Sequence, residues 1–98
     1  MITTTHIPAT NRSGSITAGG TAQNVYTAAQ QPQYGFEFYN TSDTAMYLDW
    51  DTTATAANGV PVLAGGSYYL PGPGGVIPKG RMSVLCATTG KTFTCKTF

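Results

Sequence analysis

The chain has 98 residues, 9% of them charged, with five Lys or Arg, four Asp or Glu and one His, for a formal net charge of +1. That length holds one domain, because two separate cores would each bury too little surface to offset chain entropy. Arg12, Lys79, Arg81, Lys91 and Lys96 are scattered along the chain, which excludes the clustered basic footprint of a nucleic-acid binder, and no run approaches the ~18 apolar residues of a membrane span.

From the start of the chain, MITTTHIPATNRSGS lacks both the basic start and the apolar stretch of a signal peptide. The expectation is a protein that stays in a cytoplasm, where the sequons at Asn11 and Asn40 have no meaning. Residues 1–13 carry no sustained apolar period and are punctuated by Pro8 and Gly14. They read as an extended arm ahead of a β-domain covering 14–98.

Beyond Gly14, short apolar or β-branched runs alternate with turn residues at intervals of about 8 to 12, the spacing of an all-β sandwich or barrel. Strands are expected at Ser15–Ala18, Gln23–Ala28, Gly35–Asn40, Ala45–Trp50, Val60–Leu63, Ser67–Leu70, Arg81–Ala87 and Lys91–Thr97. About eight strands in one β-sandwich follow, with jelly-roll topology preferred over an immunoglobulin-like or barrel arrangement.

GFEFYN and AMYLDW, joined by TSDT, are expected to form a hairpin at the centre of the core. Period-two alternation puts Phe36 and Phe38 on one face, and Met46, Leu48 and Trp50 on one face of the partner. Burying each large side chain contributes roughly 1.5–3 kcal/mol, so Phe38→Ala and Trp50→Ala are expected to be among the costliest changes. A second hairpin is expected around Thr88-Thr89-Gly90. With Thr89 and Gly90 at the turn, Cys86 and Cys95 are diagonal neighbours about 7–8 Å apart, beyond normal disulfide geometry. Free buried thiols are then expected. With Gly90 and Lys91 at the turn, the cysteines face one another and a bridge is possible.

The motifs that carry chemistry elsewhere are incomplete here. Gly90-Lys91-Thr92 ends like a phosphate-binding loop, but Leu85 stands where that loop needs Gly, and a strand pattern follows where it needs a helix. LPGPGGVIP, from Leu70 to Pro78, has glycines but no helix to aim at an anion, and its prolines stiffen it while removing N–H donors. It reads as a corner or rigid contact loop, with Tyr68 and Tyr69 just ahead of it as anchors or as ordinary strand tyrosines. Asp49 and Asp51 share a face without a third acidic neighbour, too few oxygens for a calcium site. His6, the sole histidine, lies in the arm without companions for a triad or a metal. No catalytic residue, metal ligand or cofactor is assigned, and the expectation is a protein that is not an enzyme.

SGSITAGGTAQNVY, FEFYNTSDTAMYLDWDTTATA and the closing SVLCATTGKTFTCKTF resemble, across residues 13–98, small virion proteins of tailed bacteriophages, of the head decoration (cement) type. That resemblance implies a β-sandwich or jelly roll that assembles on the capsid in the host cytoplasm, with the major capsid protein or other virion proteins as partners. Sparse charge favours permanent association, a dimer or trimer is expected, and the arm is expected to gain order by docking on a neighbour. His6, Ile7, Arg12, Tyr68, Tyr69, Pro71 and Pro73 are the candidate capsid or subunit contacts. A neck, tail or spike-base component, and a glycan- or receptor-binding module, are the alternatives.

Overall fold

The computed structural model describes residues 6–70 and 76–98. Nine strands form among the described residues: β1 (Thr10–Asn11), β2 (Gly14–Ser15), β3 (Gln23–Tyr26), β4 (Phe36–Asn40), β5 (Met46–Trp50), β6 (Val60–Val62), β7 (Ser67–Leu70), β8 (Met82–Cys86) and β9 (Thr92–Thr97). One sheet has the order β1-β9-β4-β7, with β2 also on β9; the other has the order β3-β8-β5-β6. Every pairing is antiparallel.

β1 and β2 are two pieces of one edge strand, since a single register runs from Thr10↔Thr97 to Ser15↔Thr92. Between them Ser13 takes over the ladder with its side chain, its Oγ accepting the N–H of Cys95 at 3.0 Å. Counting the pair as one strand leaves two four-stranded sheets, between which the chain passes repeatedly in the wrapping order of a jelly roll. The described end of the expected arm therefore lies on the chain's own sheet from Thr10 onward.

Neither expected hairpin is one. β4 pairs with β7 and β9, whereas β5 pairs with β6 and β8. The TSDT segment is an arch from one sheet to the other, and so is Ala87–Lys91 between β8 and β9. Alternation cannot tell the two cases apart. In a hairpin two strands share one sheet ~4.8 Å apart, and in an arch they face each other through their side chains across ~10 Å, yet both bury every second residue.

The inward positions follow the expected alternation. Phe36, Phe38, Met46, Leu48, Met82, Val84, Cys86 and Cys95 are fully buried, joined by Ile16, Tyr26, Val62 and Phe93. Phe38 stacks on Phe93 with ring centroids 5.3 Å apart. Trp50, expected in the core centre, is instead half-buried at one end of the sandwich, because it is the last residue of its strand. The cysteines sit on opposite sheets, Cys86 beside Met46 and Cys95 beside Phe38, so both hairpin registers considered for them are replaced; both thiols are free and buried.

A loop covers part of the outer face of the β3-β8-β5-β6 sheet. Ser83 on β8 points outward yet is fully buried, since its Oγ accepts the N–H of Ala54 at 2.9 Å and donates to the carbonyl of Thr52 at 2.8 Å.

Candidate functional site

The two ends of the sandwich differ in how they are closed. At one end, where β4 and β8 finish and β5 and β9 begin, both arches lie side by side. Buried Asn40 wires the first: its Nδ2 donates to the carbonyls of Thr44 and Val62 at 2.8 and 2.9 Å, and its Oδ1 accepts from the N–H and hydroxyl of Ser42. The second depends on Gly90 at φ +85°, a left-handed conformation that glycine adopts without a Cβ penalty. It rests on the Ile16–Gly20 segment, with Gly90 N–H donating to Ile16 and Gly20 N–H to Cys86. A Cβ on Gly19 would stand 2.5 Å from the Ala87 carbonyl, so that close approach requires glycine. Lys91 Nζ and Asp43 Oδ1, 2.7 Å apart, tie the two arches together. The GKT triplet is thus arch and strand start, with its lysine engaged by Asp43.

The opposite end is less closed among the described residues. Here His6, Ile7 and Arg12, three of the residues singled out from sequence, come together on a cavity of about 520 Å³ whose far wall is the Gln30–Tyr34 segment and whose floor includes Thr97 and Phe98. A 3-10 turn at Ala28–Gln30 opens that wall, closed by the Gln30 N–H on the Thr27 carbonyl and by Gln30 Oε1 accepting the Thr27 N–H. The Tyr34 and Gly35 N–H groups both donate to the Phe98 carbonyl, pinning the wall to the end of β9. Gln31 is tied as well, its Oε1 accepting the Gly80 N–H and its Nε2 donating to Ala28.

Arg12 owes its place to the edge strand. By register it lies opposite Cys95, an inward-facing position, and its N–H donates to the Cys95 carbonyl at 2.7 Å. Its side chain is half-buried and its Nε is out of contact with water and without an acceptor. An inward-pointing charge on a short, interrupted edge strand also discourages another strand from pairing there.

Tyr68 and Tyr69 part company. Tyr68 faces inward and joins Phe36 and Trp50 in a cluster with centroids 5.7 to 6.0 Å apart. Trp50 also donates its Nε1–H to the Tyr26 hydroxyl at 3.1 Å. Tyr69 faces outward, 62% exposed, and shares the outer face of its sheet with Tyr39. The nearby Glu37 carboxylate raises the pKa of the Tyr39 phenol. Pro71 and Pro73 lie outside the described residues.

The four sheet edges are unequal. β6 carries Pro61, which removes a ladder donor; β3 is broken by a register shift between Asn24 and Tyr26; β1 and β2 are two residues each. β7, Ser67–Leu70, has no proline, charge or bulge, and among the described residues nothing pairs with its outer side. Tyr39, the glutamine-rich wall and the edge proline are not among the contact candidates that the sequence offers, although VPV within a strand run is itself an edge signal.

Burial raises the pKa of the Cys95 thiol to about 12 and that of the Tyr26 phenol to about 12, so both stay protonated and neither is a ready nucleophile. Asp49 uses its Oδ1 to accept the Trp50 N–H, and Asp51 begins the covering loop at φ 60°. Among the described residues no three His, Cys, Asp or Glu side chains gather as a metal site would require, and no helix is long and apolar enough to cross a membrane. No known family model, curated protein or solved structure matches the chain.

Proposed function

We propose that this chain is a structural protein of a virus particle, of the capsid decoration kind, that docks on the major capsid protein or on a neighbouring copy through the β7 edge and the tyrosines beside it. The observation that carries the reading is the contrast among edges: three are blunted, while β7 offers an unblocked row of backbone donors and acceptors. A partner strand added there extends the sheet by main-chain bonds. Tyr69 and Tyr39 supply large aromatic contact area next to it, the side-chain type that dominates interface energetics.

Three further features support this reading. The strand motifs resemble those of small phage virion proteins, the jelly-roll wrapping recurs in capsid proteins as a fold-level analogy, and a surface so poor in charge sets up little repulsion between copies. The reading has the protein assembling into virions in a host cytoplasm as a dimer or trimer, its repeated contacts adding up by avidity, with no catalytic step and no cofactor. A neck, tail or spike-base position is the second reading within the same class, and a glycan- or receptor-binding module the third.

Quantitative mass spectrometry of particles from the source organism, scaled to the major capsid protein, separates these. Hundreds of copies per particle support decoration, a dozen or fewer place the chain at a neck, vertex or tail, and absence from particles overturns the virion reading. The double variant Tyr39→Lys and Tyr69→Lys is expected to keep its thermal midpoint and lose particle binding. Unimpaired binding would remove the β7 face from the proposal.

A further inference from the structure

The backbone groups on the outer side of β7 can be assigned residue by residue. Along an antiparallel strand the N–H and C=O of one residue point to the same side, and successive residues alternate. The Gly66 carbonyl accepts the Asn40 N–H, so the Ser67 N–H, on the same peptide group, points away from β4. The register Tyr39↔Ser67, Phe38↔Tyr68 carries that alternation along the strand: Tyr68 and Leu70 bond β4, and Ser67 and Tyr69 face outward. On the other side of β4, Gly35 and Phe98 exchange both their bonds, as the same alternation requires. Among the described residues no strand meets Ser67 and Tyr69.

A second copy of this edge, turned about a twofold axis normal to the sheet, matches it. With Tyr68 on the axis, Ser67 lies opposite Tyr69 of the copy, and each such pair exchanges both its bonds, so every outward donor and acceptor of the strand is used. The neighbouring registers do worse. With Tyr69 on the axis, Ser67 needs a donor from position 71, a proline without an N–H; with Ser67 on the axis, Tyr69 needs the Gly65 N–H, which Asn40 already holds. A one-residue slip would set the inward face of one copy beside the outward face of the other. The side chains fit the same register. Tyr39 stands opposite Ser67, so the outer row across the junction runs Tyr39, Ser67, then Tyr69 of the copy. Strands lie ~4.8 Å apart, and the small Ser67 leaves room for the incoming ring to lean on Tyr39 as an aromatic pair. β7 carries no charge, and the nearest charged side chains, Glu37 and Lys96, lie opposite one another on β4 and β9. Two copies therefore bring no like charges together, whereas a charged foreign strand would find no counter-charge on this edge.

We propose that β7 pairs with β7 of a second copy, antiparallel about a twofold axis at Tyr68, so that one sheet runs through both copies. The proposal deepens the docking reading and rests on it for the choice of edge, which it commits to self-association. The junction is short, at or below the ~1,200 Å² lower bound of standard interfaces, and a reversible dimer with a dissociation constant on the order of 100 μM is expected.

The test is sedimentation equilibrium and amide hydrogen exchange on the full chain at about 10 μM and about 1 mM, on either side of that constant. Mass action then predicts a change from mostly monomer to mostly dimer, with exchange at the Ser67 and Tyr69 amides slowed about fourfold. The Tyr68 and Leu70 amides, already bonded to β4, are expected to change far less. Ser67→Pro deletes an outward donor without touching the β4 ladder and is expected to weaken the dimer at least about tenfold; Ser67→Ala, which keeps the N–H, is expected to weaken it less. A monomer at both concentrations, or a dimer whose Ser67 and Tyr69 amides exchange as fast as in the monomer, would overturn the proposal. Protection of those two amides only on adding particles would do so too, giving the edge to a capsid strand. A β7-paired dimer absent from particles would sink the virion reading alone, and abundant copies on particles of a chain that stays monomeric would sink this inference alone.

Discussion

At the arch end, polar groups inside the sandwich are matched one against another: Asn40 uses both its amide N–H₂ and its carbonyl, Lys91 meets Asp43, and Gly90 and Gly20 hand their N–H groups to Ile16 and Cys86. At the cavity end the same two sheets stop with Trp50 and Tyr68 half-buried and the Arg12 Nε–H unmatched. Both ends have the same strands to close, so the difference lies in the connections. The TSDT and Ala87–Lys91 arches and the Leu63–Gly66 connection close one end, whereas the other is bordered, among the described residues, by the Gln30–Tyr34 wall, the approach of the N-terminal segment and Phe98. Polar groups satisfied internally make structure, and a polar group left over is available for a partner.

Substitutions graded along this axis test it. Phe38→Ala, in the middle of the sandwich against Phe93, is expected to cost about 3–5 kcal/mol, and Trp50→Ala, at the open end, clearly less. Equal losses in chemical denaturation would erase the distinction between centre and end. Asn40→Ala is expected next, at about 2–3 kcal/mol, since two carbonyls and a Ser42 N–H lose their partner within the sealed end. A loss below 1 kcal/mol, on the order of an exposed hydrogen bond, would mean that water reaches that arch.

The pH response should separate buried from exposed groups. Burial raises the folded-state pKa of Cys95 from 9.0 to about 12 and that of Tyr26 from 10.0 to about 12. A raised folded pKa contributes stability that is whole below the unfolded value and is lost as pH climbs through the folded one. Stability is therefore expected to fall between pH 9.0 and about 12, with Cys95→Ser shifting that profile relative to the wild type. A thiol reagent at neutral pH should label neither cysteine until the chain is denatured. At the acid side, Asp43 has its pKa lowered by Lys91 and Thr44, so its contribution is present above the unfolded pKa and disappears as pH falls. Asp43 is exposed, and Asp43→Asn is expected to have the smallest effect of the series, without a resolvable shift in thermal midpoint.

Much of the strand content was legible because alternation is a local property. FEF, MYL, SVLC and TFTC each place their inward residues by period two alone, and all of those residues are buried where the pattern puts them. The cavity was legible only in part. Arg12 and His6 could be named as contacts, yet the glutamines that face them lie some twenty residues away and meet them only because both segments border the end of β9. Tyr68 and Tyr69 are adjacent letters with opposite destinations, inward against Trp50 and outward to solvent, as alternation requires once the buried face of β7 is known.

The sequence by itself determined the class: short alternating strands, one domain, little charge, and a set of inward residues large enough for a single core. Only the tertiary structure decided which strand pairs with which. TSDT and ATTG suit a tight hairpin and an arch equally, because both bury the same side chains, and the choice depends on where β9, β7 and β8 lie when the sheets close. For the same reason only the fold brought Arg12 together with the Gln30–Tyr34 segment and Phe98 on one cavity, since which groups share a cavity is a property of neighbours in space.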